Sequence, residues 1–235
     1  MNLAVRQDET RGEFEVAGEA VLADVRGALC LADLRVMIVS DLHLEKGAAK
    51  ARRGRLLPPY DTATTLTLLE RSLRLFQPQT VICLGDSFDD AGGAGAMPDL
   101  YRAELARLMQ GRDWFWIEGN HDPDPPEGLG GDTVSEMAIG SLTFVHHPSA
   151  GRMRGEVAGH LHPGARIVRR GRSVRRRCFA TDGERLIMPA YGAYTGSLNL
   201  RDRAFAGMFR EDGLVAWALG ASRLYALSAR HLLPG

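Results

Sequence analysis

Lysine is nearly absent from this chain. Lys46 and Lys50 are the only two among 29 basic residues, and the other 27 are arginines. Cysteine is scarce too: Cys30, Cys83 and Cys178 are an odd set, far apart and in apolar or strand-like contexts. That excludes a disulfide framework and a zinc knuckle. Aromatic residues reach only 7%, which argues against a long stacking platform for single-stranded nucleic acid. No apolar run approaches the roughly 18 residues of a membrane span. The stretch Met1 to Glu9 lacks the basic start and apolar middle of a signal peptide, so a cytoplasmic protein with no membrane partner is expected. Net charge is zero, which permits a polyanionic substrate without demanding one. No repeat, low-complexity segment or linker interrupts the 235 residues, so one domain over 1–235 with a single sizeable core is expected.

What is present begins with Val36-Met37-Ile38-Val39, a run with the character of a buried strand. It stops in Ser40-Asp41-Leu42-His43. Asp41 and His43 are two residues apart, so on extended chain they point the same way. Upstream, residues 12–35 read as two or three short antiparallel strands. A Gly- and basic-rich loop is expected after His43, through Leu57. Asp61 then caps a helix to Phe76, which Pro78 stops. Thr80–Leu84 and Asp113–Ile117 are further buried strands, with a helix from Pro98 to Met109 between them. Beyond that, strands dominate. Thr133–Met137 and Leu142–Val145 form a hairpin at Gly140, and Glu156–Ala158, Arg166–Val168, Arg175–Ala180 and Arg185–Met188 follow, the last two joined through Asp182-Gly183. Phe205–Phe209, Val215–Leu219 and Arg223–Ala226 are expected as closing strands. The order is βαβαβ followed by a β-rich half, an α/β chain of two packed sheets with helices outside.

Histidine placement points to the chemistry. Six of the seven histidines fall in strand-end motifs: His43, His121, His146, His147, His160 and His162. Asp41, Asp86 and Asn120 accompany them. Carboxylate, amide oxygen and imidazole together suit a six-coordinate first-row metal such as Mn²⁺ or Fe²⁺. That no cysteine lies in a motif argues against a pure thiolate or tetrahedral zinc site.

Asp41-x-His43, Gly85-Asp86-x-x-Asp89, Gly119-Asn120-His121-Asp122, the strand-end His146 and Gly159-His160-x-His162 follow one another in that order. Five ordered motifs over about 120 residues are a specific signature, and it resembles the calcineurin-like metallophosphoesterase superfamily. The resemblance implies a four-layer sandwich of two mixed β-sheets flanked by helices. It implies two divalent metal ions, Mn²⁺ foremost with iron or zinc as alternatives. Asp41, His43 and His162 would hold one, Asn120, His146 and His160 the other, and Asp86 would bridge them. A hydroxide between the ions would attack phosphorus in line. His121 is the expected proton donor to the leaving oxygen, with Asp122 orienting it. His146 and His147 compete for one ligand position; the strand-closing His146 takes it and His147 falls to the rim. Asp89 is either structural or relevant to catalysis.

The stretches from Asp41 to Gly47, Leu56 to Asp61, Arg175 to Gly183 and Pro189 to Gly196 resemble, more narrowly, the ligase-associated DNA-damage-response endonuclease branch (PdeM). Asp89 stands where relatives carry a histidine. This likeness implies a bacterial metal-dependent phosphodiesterase and DNA endonuclease, associated in repair with a DNA ligase, a helicase and an exonuclease. Arg52, Arg53 and Arg55, with Lys46 and Lys50, would line the mouth of the site and grip DNA phosphates. His147 and Tyr60 are further candidate substrate contacts, and Tyr191 or Tyr194 could stack on a base. The arginines from Arg166 to Arg177 either do the same or solvate a sheet face. Nothing reads base edges, and single-stranded DNA is the favoured substrate. The alternatives are a small-molecule or nucleotide phosphoesterase on the same fold, and a non-catalytic scaffold.

Overall fold

The structure, a computed structural model, describes residues 10–234 except Leu56, Pro59, Pro125, Arg170 and Glu211. The leader expectation at residues 1–9, and the parts of the motif and arginine-run readings that fall on Leu56, Pro59 and Arg170, lie outside the described residues. Four strands, β1 (Arg11–Val16), β2 (Glu19–Asp24), β3 (Leu29–Leu31) and β4 (Val36–Val39), form an antiparallel meander. The chain then crosses over twice, through α2 (Asp61–Phe76) to β5 (Thr80–Leu84) and through α4 (Asp99–Met109) to β6 (Asp113–Ile117). Both crossovers return parallel strands, β4 to β5 and β5 to β6. Two shorter helices, α1 (Lys46–Arg52) and α3 (Gly93–Ala96), sit in the loops that leave β4 and β5. β7 (Asp132–Val134) completes a seven-stranded mixed sheet in sequence order.

The second sheet has nine strands. β8 (Glu136–Ile139), β9 (Leu142–Val145), β10 (Glu156–Ala158), β11 (Pro163–Arg169), β12 (Arg172–Thr181), β13 (Leu186–Ile187) and β14 (Leu198–Asn199) run in the order β14-β11-β12-β13-β10-β9-β8. β15 (Val215–Leu219) pairs with β12, and β16 (Leu224–Ser228) with β15. The sheets face each other across a shared apolar layer in which Leu29, Ile38 and Ile82 of the first meet Phe144, Val157, Phe179 and Leu186 of the second. The first sheet's outer face is covered by α2 and α4 through Leu66, Leu69, Leu73, Leu105 and Leu108. The second sheet's outer face is covered by an irregular segment carrying Leu200, Phe205 and Phe209. Among the described residues, no helix is long and apolar enough to cross a membrane.

Four local expectations are corrected. Residues 46–52 are helical, not loop: Ala48, Ala49 and Ala51 are strong helix formers, and Lys50 and Arg52 in the last turn complement the helix dipole. Asp61 does not cap α2. The N-cap is Tyr60, and the Asp61 carboxylate accepts from the Gly47 amide at 2.9 Å, tying α1 to α2. Thr133–Met137 is not one strand. The chain passes from the first sheet to the second at Ser135, so β7 pairs with β6 while β8 pairs with β9. Phe205–Phe209 is not a strand. A 3-10 turn at Arg203–Phe205, capped by Asp202, bends the chain, and both Phe205 and Phe209 are buried along this irregular path without pairing to a strand.

Candidate metal centre

The candidate residues gather where β4, β5, β6, β9 and β10 end, on the carboxyl side where α/β sheets place ligands. The loops leaving β4 and β5 are zipped together. Asp41 N donates to Gly85 O (3.3 Å), His43 N to Asp86 O (2.9 Å), Leu44 N to Ser87 O (2.8 Å) and Asp89 N to Leu44 O (3.0 Å). From the other side, Tyr191 N reaches Ser40 O at 2.7 Å and Gly192 N reaches Asp41 O at 3.1 Å.

Asp41 and His43 do converge, but not on extended chain. Both have positive φ, 53° and 44°. Of the nine non-glycine residues with positive φ among those described, five are candidate ligands: Asp41, His43, Asp86, His160 and His162. Left-handed backbone costs an L-residue about 1–2 kcal/mol, and such strain gathers at functional sites. Gly119 is required by crowding at this point: a Cβ there would lie 2.2 Å from the Asp86 amide nitrogen and 2.5 Å from Asp86 Oδ1. Its absence lets His121 N donate to Asp86 Oδ1 at 2.9 Å.

Three donor clusters result among the described residues, two of them from the expected ligands and the third from His43, Asp89 and His121. One donor atom each from Asp41, His43 and His162 lies within 4.8 Å of the others, and so does one each from Asp86, His146 and His160. Asp86 faces both clusters, with Oδ1 3.4 Å from His146 Nε2 and Oδ2 3.9 Å from His43 Nε2. Asn120 Oδ1 joins the second cluster at 3.0 Å from His146 Nε2. Asp41 is fully buried, and His43, Asp86 and His146 are nearly so.

This donor set fits cations. His146 Nδ1 lies 2.9 Å from Leu84 O, and a carbonyl only accepts, so Nδ1 carries the ring proton. A neutral ring then turns its Nε2 lone pair toward Asn120 Oδ1 and Asp86 Oδ1. Three acceptors facing one another repel unless a positive charge lies between them. In the other cluster, both ring nitrogens of His43 and the Nε2 of His162 are buried without a hydrogen-bond partner, a state that a coordinated ion relieves. Burial depresses the pKa of His43, and burial, together with His147 and His146, pushes His160 down to about 4. Both rings are therefore neutral, as ligands must be. Burial works against the Asp41 charge, yet His162, His146 and a hydrogen bond from Ser40 hold its carboxyl below the usual range.

The remaining candidates separate. His121 stands at the rim, its side chain 36% exposed, with Nε2 3.9 Å from Asp86 Oδ2. Its Nδ1 lies 2.8 Å from the carbonyl of Asp89, so the expected orientation by Asp122 is corrected. The Asp122 carboxylate turns away to accept from Phe88 N at 3.0 Å, holding the loop that carries Asp86. Burial, then the nearby Asp86 charge, lifts the Asp122 carboxyl to about 7. His147 is exposed and lies on His160, ring centroids 3.6 Å apart. Arg52 is held by Asp90 at 2.7 Å; Arg53 and Arg55 are exposed just beyond α1. Tyr60 is 64% exposed and Tyr194 38%, whereas Tyr191 is buried with its hydroxyl 2.9 Å from Ser72 Oγ, which removes it from base stacking. The arginine run also divides. Arg177 turns inward onto the carbonyls of Ala190, Tyr191 and Gly192, and Arg166 bonds Ser173 and Pro234. Arg175 and Arg176 are exposed.

Sequence reasoning missed the carbonyls of Leu84 and Asp89, which leave no side-chain signal. It also missed Lys46 as a partner of Asp89, Nζ to Oδ1 2.9 Å; the rarity of lysine was the available cue. Burial pushes the Asp89 carboxyl up, but the neighbouring His43 and Lys46 outweigh it and hold it at about 2.

The structure is similar to a nuclease, MPE, of Pseudomonas putida, with a TM-score of 0.71 and 25% identity over 92% of this chain and 100% of that one. It matches Yfce, a phosphoesterase from E. coli, with a TM-score of 0.40 and 16% identity over 83% of this chain and 98% of that one. A search of curated proteins found no match. The model of the calcineurin-like phosphoesterase family matches residues 34–179, more than half of the chain and every candidate ligand. With its two mixed sheets and its paired donor clusters, the chain belongs to the calcineurin-like phosphoesterase family.

Proposed function

We propose that this protein is a two-metal phosphodiesterase that cleaves DNA internally, preferring single strands, in the repair chemistry of a bacterial cytoplasm. One observation carries the reading: two donor clusters face a single buried carboxylate, Asp86, beneath a half-buried histidine. The likeness to a nuclease over 92% of the chain supports the substrate class.

Asp41, His43 and His162 would hold one ion and Asn120, His146 and His160 the other, with Asp86 between them. When bound, two divalent ions, Mn²⁺ by this mixed oxygen and imidazole set, polarise phosphate oxygens and supply hydroxide near neutral pH. The protein's own groups do the rest. His121 keeps its Nδ1 proton on the Asp89 carbonyl, which leaves Nε2 to carry a proton to the departing oxygen. Asp122 holds the Asp86 loop in place. Arg53 and Arg55 at the mouth grip neighbouring phosphates, while Arg52 shares its charge with Asp90. His147 and Tyr60 offer rings at the rim to an unstacked base. A DNA ligase, a helicase and an exonuclease are the proposed working partners.

The test is cleavage of an end-labelled single-stranded oligonucleotide by metal-stripped protein resupplied with Mn²⁺, beside a duplex of the same sequence and bis-p-nitrophenyl phosphate. Internal cutting that needs Mn²⁺ and disappears in Asp86→Ala is the expected result. Turnover of the aryl ester with DNA left intact would move the substrate to a small phosphoester. Bound metal with no turnover of either would leave a scaffold.

A further inference from the structure

We propose that the cavity walled by Arg175, Arg176 and Arg177 is a phosphate-binding subsite outside the metal centre, and that it takes a backbone phosphate of the same DNA strand that the centre cuts. The proposal rests on the nuclease reading above and names a second contact for that substrate. The three arginines are consecutive on β12 and line one open cavity of about 460 Å³, a volume in the range of sites that take small organic ligands. No lining residue is acidic. None of the three arginines has a carboxylate partner among the described residues. Like charges brought together in this way repel, and an anion between them relieves the repulsion.

Arg177 is fixed in place for the task. Its Nη1 donates to the carbonyls of Ala190, Tyr191 and Gly192 at 2.6, 3.1 and 3.3 Å. Its Nε and Nη2 have no protein acceptor among the described residues, so that edge of the planar fork keeps both donors, the geometry that meets a phosphate with two parallel bonds. Burial works against the charge of Arg177. Carbonyls satisfy its donors without neutralising it, whereas an anion does both. Arg175 reaches only Ser197 O, at 3.4 Å, and Arg176 is exposed. The cavity is joined to the metal centre by residues 192–198. At one end Gly192 N donates to Asp41 O at 3.1 Å, and at the other Leu198 N donates to His162 O at 2.8 Å. Thr195 and Ser197, between those ends, form part of the cavity wall. A strand lying across this segment therefore meets the metal ligands and the arginines together.

Arg175→Gln with Arg176→Gln removes two charges from the cavity. Arg152→Gln with Arg172→Gln removes two exposed charges outside it and serves as the control. Single-stranded oligothymidylates of increasing length are titrated by fluorescence anisotropy against the metal-stripped protein, which leaves them uncut. The parent's affinity should rise in a step once the strand is long enough to reach the cavity. The cavity variant should lose that step, bind the longest strand about tenfold or more weakly, and show a salt slope shallower by about 0.7 log units per log unit of salt for the one phosphate released. The control should keep the step. If the double variant melts early, Arg176→Gln alone carries the comparison, since Arg176 makes no bond that the fold needs. A cavity variant that keeps the step and the parent's slope would overturn the proposal, and so would a control that weakens as much. Inorganic phosphate and dAMP are titrated in parallel while the Arg177 Nε–H resonance is followed in ¹H–¹⁵N spectra. Saturable shifts there, with strand affinity indifferent to the arginines, would assign the cavity to a free phosphate and overturn the DNA assignment. A retained step with no cleavage when Mn²⁺ is returned would sink the nuclease reading and leave the subsite standing.

Discussion

Gly85 stands between β5 and Asp86, and replacing it by alanine attacks one half of the centre from below. Its φ is +67°, and an added Cβ would lie 2.5 Å from His146 Cγ and Nδ1 and 2.8 Å from His146 Cβ. Because the obstacle includes the histidine's own Cβ, turning the ring does not relieve the overlap. His146 must leave its place and give up its bond to Leu84 O. The left-handed backbone costs alanine about 1–2 kcal/mol, and forcing a side chain out of a packed interior costs about 1–3 kcal/mol. The sum is about 3 kcal/mol, which for a chain of this length lowers the melting temperature by about 10 °C. Differential scanning calorimetry and Mn²⁺ stoichiometry measure the two consequences. Gly85→Ala should melt early, hold one ion per chain instead of two, and lose at least about 100-fold in phosphodiester hydrolysis. A variant that melts within about 2 °C of the parent would refute the packing argument. One that melts early yet holds both ions would remove His146 from the ligand set.

Further outcomes follow from the same geometry. His121→Ala should lose about 100-fold or more in kcat on DNA with metal content unchanged. It should lose far less on bis-p-nitrophenyl phosphate, whose leaving group departs without a proton; equal losses on both substrates would exclude His121 as the proton donor. Arg53→Gln with Arg55→Gln should raise KM for a single-stranded oligonucleotide and flatten its salt dependence by about 1.4 log units per log unit of salt, and a salt slope equal to the parent's would take both residues off the DNA path. Arg185→Met should destabilise the fold by about 3–5 kcal/mol, measured by urea titration, because it strands the buried Glu156 carboxylate that Arg185 holds at 3.0 Å. An unchanged urea midpoint would show that Glu156 finds another partner.

Some features of this protein follow from its sequence alone. Val36–Val39 and the apolar parts of Thr80–Leu84 and Asp113–Ile117 read as buried strands, because short apolar runs of this kind suit strands covered on both faces. The ligand candidates were legible for a related reason: carboxylate, amide and imidazole recur at the ends of these strands, and residue type together with order along the chain identifies them. Other features required the tertiary structure. The expectation of extended chain at Asp41-x-His43 could not reveal left-handed backbone, which neighbouring loops impose. The orientation of His121 and His146 depends on backbone carbonyls, and every residue has one. Which arginines face solvent depended on what packs beside β12, and Arg177 turned inward because three carbonyls of the 190–192 segment lie within its reach. Local pattern determines strands and donor types, since both depend on residues near in sequence. The direction in which each donor points is decided by partners such as Leu84 for His146 and Asp89 for His121, which only the folded chain brings near.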